Sequence, residues 1–78
     1  MDFLVIDAVA VQPEYFRMYE ELIDIGLSEA VSDLVFVKKP HTLSYAFEQD
    51  GISLGYYKIL STKAGATQGV TIFTLHKQ

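Results

Sequence analysis

The stretch ILSTKAGATQGVTIF, residues 59–73, places a small polar loop with one lysine and two glycines between two apolar runs. Phosphate-binding loops hold converging backbone N–H groups at a helix N-terminus, and the Walker pattern sets its lysine after the second glycine. Here Lys63 precedes Gly65 and Gly69, and the residues that follow are typical of a strand. We therefore predict a bend between two strands, in which Lys63 and Gln68 are candidate contacts with a partner.

The other residue types that perform catalysis or bind metals lack the arrangement that such sites require. His41 and His76 stand far apart in a chain without cysteine, so a metal site would need carboxylates beside them. Glu48 and Asp50 flank a turn, where we expect exposed carboxylates and not the buried pair of an acid–base mechanism. The remaining candidate nucleophiles lie in predicted strands or a loop: Ser44, Ser53 and Ser61. The sequence predicts a protein that is not an enzyme and uses no metal or cofactor.

Length and composition favour one globular domain over residues 1–78, since half of the residues are apolar and a second domain would lack a core. The absence of cysteine excludes disulfides. Oligomerisation is then the remaining way to add to the stability that a small core provides. The first apolar run, MDFLVIDAVAV, is interrupted by Asp2 and Asp7 and is too short to span a membrane. We expect a cytoplasmic protein (in the host cytoplasm, if the chain is viral) that does not bind membranes.

The formal charge of −4 is distributed unevenly along the chain. Residues 1–33 hold eight carboxylates against Arg17 alone, a net charge of −7, whereas residues 34–78 carry a net charge of +3. Such asymmetry bears on partners and on electrostatic steering, not on the fold. It indicates either a solvated acidic surface or a surface that binds a basic partner.

The first third of the chain is interpreted as a strand followed by a helix. FLVIDAVAV, residues 3–11, has apolar residues at both odd and even positions, as in a central strand that is covered on both faces. Pro13 suits the first turn of a helix that would run to about Leu27. Near Gly26 this helix would end, and Ser28 would cap a second short turn reaching Leu34.

This predicted helix has more apolar surface than one sheet can cover. Its narrow polar stripe consists of Glu14, Arg17, Glu21, Asp24 and Ser28. The rest of its circumference is apolar: Tyr15, Phe16, Met18, Tyr19, Leu22, Ile23, Ile25 and Leu27. We therefore expect either more of the chain or another molecule to pack against it.

Strands are predicted for the remainder. Residues 34–40 are interpreted as a short strand, residues 69–77 as the last strand, and residues 41–60 as a hairpin turning at Asp50–Gly51. In the hairpin register Phe47 faces Leu54 and Tyr45 faces Tyr56, with these four side chains in the core. The order β-α-β-β-β-β predicts a two-layer α+β domain, with a mainly antiparallel sheet of four to five strands and one helical segment packed on one face.

Three functional hypotheses follow. The first is a small acidic protein-binding module, an inhibitor or modulator that occludes a larger protein with a basic surface, for example a nucleic-acid-binding protein. In size and charge alone, the chain resembles the small acidic inhibitors that phages encode. Its predicted partner-binding residues are Glu14, Tyr15, Arg17, Met18, Glu20, Glu21, Leu22 and Asp24.

The second hypothesis is a self-assembling structural or accessory subunit, a homodimer built on the apolar helix surface around Tyr15, Met18 and Leu22. The third is a nucleic-acid binder that uses the open face of its sheet, with Tyr57 near Lys39 and Lys63 in sequence. No RNP1 pattern supports the third hypothesis, and we expect nucleic acid not to be the partner.

Overall fold

The computed structural model describes residues 4–36 and 44–78. Within these ranges seven strands form one antiparallel sheet in the order β2-β1-β5-β6-β7-β4-β3. The elements in chain order are β1 (Leu4–Ile6), β2 (Val9–Val11), β3 (Tyr15–Tyr19), β4 (Leu22–Ser28), α1 (Glu29–Val35), β5 (Tyr45–Gln49), β6 (Ile52–Ala64) and β7 (Val70–Lys77).

The predicted fold class is wrong. The described chain is mostly sheet, with seven strands and one short helix, and not a four-to-five-strand sheet with a long helix on one face. Two segments account for the difference, residues 3–11 and residues 13–27. Each contains a tight turn without glycine, and the local pattern therefore does not indicate the chain reversal.

Residues 4–11, the described part of the first segment, form a hairpin at one side of the sheet and not a central strand. Asp7 and Ala8 form its turn, with φ angles of 50° and 67°. Both angles lie in the left-handed region that the favoured two-residue hairpin turns require. Asp7 is further fixed by β5, because its N–H donates to the Ala46 carbonyl at 2.8 Å and its Oδ1 accepts the Ala46 N–H at 2.8 Å.

The second segment, predicted as a helix from Pro13 to Leu27, is the hairpin of β3 and β4. Its register pairs Tyr15 with Gly26, Arg17 with Asp24 and Tyr19 with Leu22. Successive side chains of a strand alternate between two faces, so the apolar residues attributed to one crowded helix are shared by both faces of this hairpin. Most of the apolar surface that seemed to lack a cover is accounted for, because Ile23, Ile25 and Leu27 are buried in the core.

Helix α1 confirms the prediction that Ser28 caps a short second helix. The Ser28 Oγ accepts the Val31 N–H at 3.4 Å, and the Ser28 carbonyl accepts the Ser32 hydroxyl at 2.7 Å. The predicted strand over 34–40 is wrong at its start, since the helix continues to Val35. Its other part, residues 37–40, lies outside the described residues together with His41.

The Asp50–Gly51 hairpin is confirmed, although its register is confirmed only beside the turn. Gln49 pairs with Ile52 as predicted, but a bulge between Phe47 and Glu48 shifts all later pairs by one residue. Phe47 therefore faces Gly55, and Tyr45 faces Tyr57. The shift exchanges the predicted positions of two tyrosines. Tyr57, predicted on the open face, is 2% exposed, whereas Tyr56, predicted in the core, is 61% exposed.

The loop of residues 59–73 is the bend of a hairpin, as predicted, because β6 and β7 pair antiparallel on either side of it. The connection is shorter than the predicted polar loop, for β6 continues to Ala64 and β7 begins at Val70. Lys63 consequently lies within a strand, opposite Ile72.

One hydrophobic core occupies the concave side of the sheet. Helix α1 contacts β2 near one end of the strand order and β4 near the other, so the sheet must curve around the helix. The Tyr45 hydroxyl, inside this core, donates to the Phe36 carbonyl at 3.2 Å. The buried apolar side chains are Leu4, Ile6, Ile23, Ile25, Leu27, Val35, Phe36, Tyr45, Phe47, Tyr57, Phe73 and Leu75.

Candidate functional site

The side of β3, β4, β7 and the second half of β6 that points away from the core forms a continuous surface, which we call the outer face. Directly paired residues of neighbouring strands share a face, so the registers place side chains in cross-strand rows. The first row is Tyr15, Gly26, Ile72 and Lys63; the second is Arg17, Asp24, Thr74 and Ser61; the third is Tyr19, Leu22, His76 and Lys58.

Four polar side chains at the centre of the outer face, Arg17, Tyr19, Asp24 and Thr74, form what we call the Arg17 cluster. The Asp24 carboxylate accepts the Tyr19 hydroxyl on Oδ2 at 3.0 Å and the Thr74 hydroxyl on Oδ1 at 2.7 Å. The Arg17 guanidinium carbon lies 5.0 Å from the centre of the Tyr19 ring, within cation–π range. Three strands thus hold one arginine and one tyrosine in a fixed arrangement.

The carboxylate of this cluster also sets the protonation of its tyrosine. The hydrogen bond from Tyr19 to Asp24 raises the pKa of the phenol, with smaller contributions from desolvation and from the charge of Asp24. The Arg17 charge acts in the opposite direction. At neutral pH the Tyr19 hydroxyl therefore remains a donor. Burial is the main cause of the raised pKa of Tyr57, on the core side of the same half of the sheet.

Tyr15 stands at the end of the outer face beside a buried glycine of β4. A Cβ atom built on Gly26 would lie 3.1 Å from the Tyr15 Cβ and 3.3 Å from the Val70 Cγ1. Glycine therefore lets the side chains of β3 and β7 approach each other across β4. Tyr15 keeps 42% of its surface exposed in this position.

Charge differs between the strands that contribute to the outer face. The β3–β4 hairpin and its flank carry the carboxylates Glu14, Glu20, Glu21 and Asp24 against Arg17. Strands β6 and β7 carry lysines and no carboxylate: Lys58 and Lys63 on the outer face, and Lys77 on the core side, where it pairs with Tyr57. The two regions meet where the Glu21 Oε2 lies 3.7 Å from the His76 Nε2. The asymmetry seen along the sequence thus becomes a difference in charge between neighbouring strands of the sheet.

The structure brings together some of the predicted partner-binding residues and separates others. Tyr15, Arg17, Leu22 and Asp24 share the outer face, and Lys63 joins them from β6. The predicted polar stripe of a helix does not exist, because Glu14 precedes β3, Glu21 lies with Glu20 in the turn after it, and Asp24 lies in β4. Met18 points to the core side and is 41% exposed; Gln68 is exposed in the β6–β7 loop.

Tyr19, Thr74, His76 and Lys58 are members of the outer face that sequence analysis did not select. The alternation in YFRMY, where positions 15, 17 and 19 are polar or amphipathic, was the available signal for Tyr19. Long-range pairing alone places the other three, since no local pattern joins β7 or β6 to β3.

Residues 51–55, GISLG, match the letters of the nucleophile elbow, in which a serine stands between a strand and a helix. In this chain the five residues begin in the β5–β6 turn and continue into β6. The exposed Ser53 accepts the Gly55 N–H at 3.3 Å and faces Glu48 across the strands. His76 faces Lys58, five positions further along β6, so the described residues do not form a serine–histidine pair here.

Neither a metal centre nor a membrane-spanning helix is found in the described ranges 4–36 and 44–78. No group of three or more His, Asp or Glu side chains there could hold a metal ion, and α1 is too short and too polar to cross a bilayer. Comparison with known proteins adds no relative: no protein-family model, curated protein or solved structure matches the chain.

Proposed function

We propose that this protein is a non-enzymatic protein-binding module that covers a surface of a larger protein with its outer face. The observation that carries the proposal is the Arg17 cluster together with Tyr15. Tyrosine and arginine are enriched among the residues that dominate binding energy at protein interfaces. Here both are exposed, and Arg17 is held in place by Tyr19, which Asp24 fixes in turn.

Rigidity of this kind favours binding because a fixed side chain loses less conformational freedom when a partner docks. β3 and β4 are joined by a short turn, and β4 is in turn paired with β7 along its whole length. The contacting side chains therefore sit on a rigid sheet and not on a loop. A protein partner of complementary shape could bind without reordering this surface.

The difference in charge between the β3–β4 hairpin and strands β6 and β7 supports a protein partner over a nucleic acid. A nucleic acid presents a uniformly negative backbone, which the carboxylates of the β3–β4 hairpin would repel. A protein can instead offer basic groups to Glu20 and Glu21 and acidic groups to Lys58 and Lys63. We propose an inhibitor or modulator working in the cytoplasm, as the phage-encoded inhibitors of similar size and charge do, on a partner that has a basic surface.

Affinity capture with matched variants tests the proposal. The double variant Tyr15→Ala/Arg17→Ala should lose a protein that the wild type captures from a cell lysate. The control Ile52→Ala/Glu48→Ala removes one exposed apolar and one exposed charged side chain from the β5–β6 hairpin, and it should retain that protein. Circular dichroism checks that both variants fold. Equal capture by wild type and both variants would refute the proposed face.

Two further measurements separate the electrostatic contribution and the nucleic-acid alternative. Binding of the captured protein should weaken with added salt and with Glu20→Lys/Glu21→Lys. A labelled single-stranded oligonucleotide, titrated at low salt and followed by fluorescence anisotropy, should not bind. If it binds, and Tyr15→Ala weakens the binding, the outer face is a nucleic-acid surface and the proposal is wrong.

A further inference from the structure

Strand β3 is an open edge of the sheet in the described part of the chain. It is last in the strand order, and its one neighbour there is β4. The edge at the opposite end, β2, has three residues and contacts α1, whereas β3 has five. An edge of this length with free N–H and C=O groups is a template for another strand.

The residues of β3 determine which partner strand this edge fits. An antiparallel pair of two β3 strands centred on Arg17 would set two guanidinium groups directly opposite each other, which is unfavourable. Moving the centre by one residue, to Met18, removes that opposition. Arg17 of each copy then faces Tyr19 of the other, the same pair of residue types that already form a cation–π contact within one chain.

In this register the two Arg17 side chains become diagonal neighbours, roughly 7–8 Å apart, instead of directly opposed ones. Glu21 takes no part in the pairing, because its carbonyl accepts the Lys77 N–H at 2.8 Å and its Oε2 lies 3.7 Å from the His76 Nε2, on the β7 side of its turn.

We propose that the protein forms a twofold-symmetric dimer in which β3 pairs antiparallel with β3 of a second copy, centred on Met18. On the core side of the strands the two Met18 side chains meet on the axis. Each is 41% exposed in the single chain, so their contact removes apolar surface from water and joins the rims of the two cores. The outer faces of the two copies become one surface. The dimer goes beyond the proposed function and does not depend on it.

Cysteine cross-linking tests the register directly, because the chain contains no cysteine of its own. Directly opposed residues of an antiparallel pair have Cα atoms about 4.5–5.5 Å apart, which suits a disulfide. Under mild oxidation Met18→Cys should become a covalent dimer. Arg17→Cys, displaced from the axis, should not, and the exposed control Ile52→Cys should also remain monomeric.

Sedimentation of the unmodified protein provides the second readout. The mass should rise from 8.8 kDa towards twice that value as concentration increases. Met18→Lys, which places two ammonium groups on the axis, should abolish this rise, whereas Ile52→Lys should not. A wild type that stays monomeric at millimolar concentration overturns the dimer. So does a Met18→Cys that cross-links no faster than Ile52→Cys.

The two proposals can fail separately. A monomeric protein whose partner capture still depends on Tyr15 would refute the dimer and keep the binding face. Capture that instead depends on Met18, in a protein that never dimerises, would mean that β3 pairs with a strand of the partner. That result would likewise overturn the dimer.

Discussion

The hairpins β3–β4 and β5–β6 have the same antiparallel design but opposite positions in the sheet. Strand β5 lies between β1 and β6 and buries Tyr45 and Phe47 completely. Strand β3 lies at the edge and keeps Tyr15 and Met18 about two-fifths exposed. The comparison separates two positions: the interior hairpin contributes its side chains to the core, and the edge hairpin, anchored by β4, keeps side chains exposed, which is where we propose that another molecule binds.

The largest expected effect distinguishes two phenylalanines, one from each hairpin. Phe47 is fully buried, so Phe47→Ala should lower the free energy of unfolding by about 3–5 kcal/mol. A domain of this size has roughly that much to lose, so the variant should be largely unfolded. Phe16 of β3 is half-buried, and Phe16→Ala should cost about 1–2 kcal/mol.

Urea denaturation of the two variants and the wild type measures this difference. Equal losses at Phe16 and Phe47 would show that the edge hairpin is as much a part of the core as the interior one. The contrast between the two hairpins would then be wrong.

The next effect concerns the Arg17 cluster. Asp24→Ala deprives the Tyr19 and Thr74 hydroxyls of their acceptor, and both hydroxyls are partly exposed and can turn to water. We expect a loss of about 1–2 kcal/mol in the free energy of unfolding. Thr74→Val removes one of the two bonds and should cost less. Thermal or urea unfolding measures the stability of the two variants. If Asp24→Ala has the same free energy of unfolding as the wild type, the Arg17 cluster is not held in a fixed arrangement.

The hydrogen bond from Tyr19 to the Asp24 carboxylate predicts that the stability of the fold depends on pH. The pKa of Tyr19 is raised, so the folded state holds its proton more tightly than the unfolded state does. The stability linked to this group is complete below the ordinary tyrosine pKa of about 10 and is lost as the pH rises through the higher folded-state value. Asp24→Asn should lower the pKa of Tyr19, measured by phenolate absorbance against Tyr19→Phe. A Tyr19 titration that Asp24→Asn leaves unchanged contradicts this assignment.

A smaller effect is expected at the turns. Gly51 has a φ of 80° and nothing within 4 Å of a built Cβ, so Gly51→Ala should destabilise through backbone strain alone, by about 1 kcal/mol. Ala8 adopts a φ of 67°, and Ala8→Gly should therefore stabilise, by up to about 1 kcal/mol. Unfolding midpoints of the two variants should move in opposite directions. Movement in the same direction would show that neither turn has the described conformation.

The smallest effect is expected from the pair of Glu21 and His76. Both side chains are well exposed, at 71% and 43%, and exposed ion pairs contribute little. Glu21→Gln should change the free energy of unfolding by less than about 0.5 kcal/mol, in the chemical denaturation assay used for the other variants. A larger loss would place this pair among the structural contacts of the edge hairpin.

Turn chemistry explains which hairpins could be predicted. The Asp50–Gly51 pair identified its hairpin because glycine at a left-handed position is a local and specific signal. The Asp7–Ala8 and Glu20–Glu21 turns use non-glycine residues at positive φ, at Asp7, Ala8 and Glu20. Such turns form because the strands on either side pair and bury their apolar faces, which no short stretch of sequence reveals.

The candidate site was predictable only in part, for the same reason. Residues Tyr15, Arg17 and Asp24 were selected, but as parts of one helix, with Arg17 and Asp24 on its polar stripe and Tyr15 on its apolar surface, because polar residues three or four apart are typical of a helix. Thr74 lies fifty residues from Asp24 and bonds to it only because β7 pairs with β4. The bulge at Phe47–Glu48 shifts the register by one residue, and this shift decides whether Tyr56 or Tyr57 is buried.

The sequence by itself determined the local features: the Asp50–Gly51 turn, the Ser28 cap, the β6–β7 bend and the unequal distribution of charge. Each depends on the chemistry of a few adjacent residues. Only the tertiary structure decided the strand count, the register beyond the bulge and the composition of the outer face. These features depend on which distant segments of the chain bury their apolar side chains together. The free energy of that burial is a property of the whole sheet and its core, and not of any short stretch of sequence.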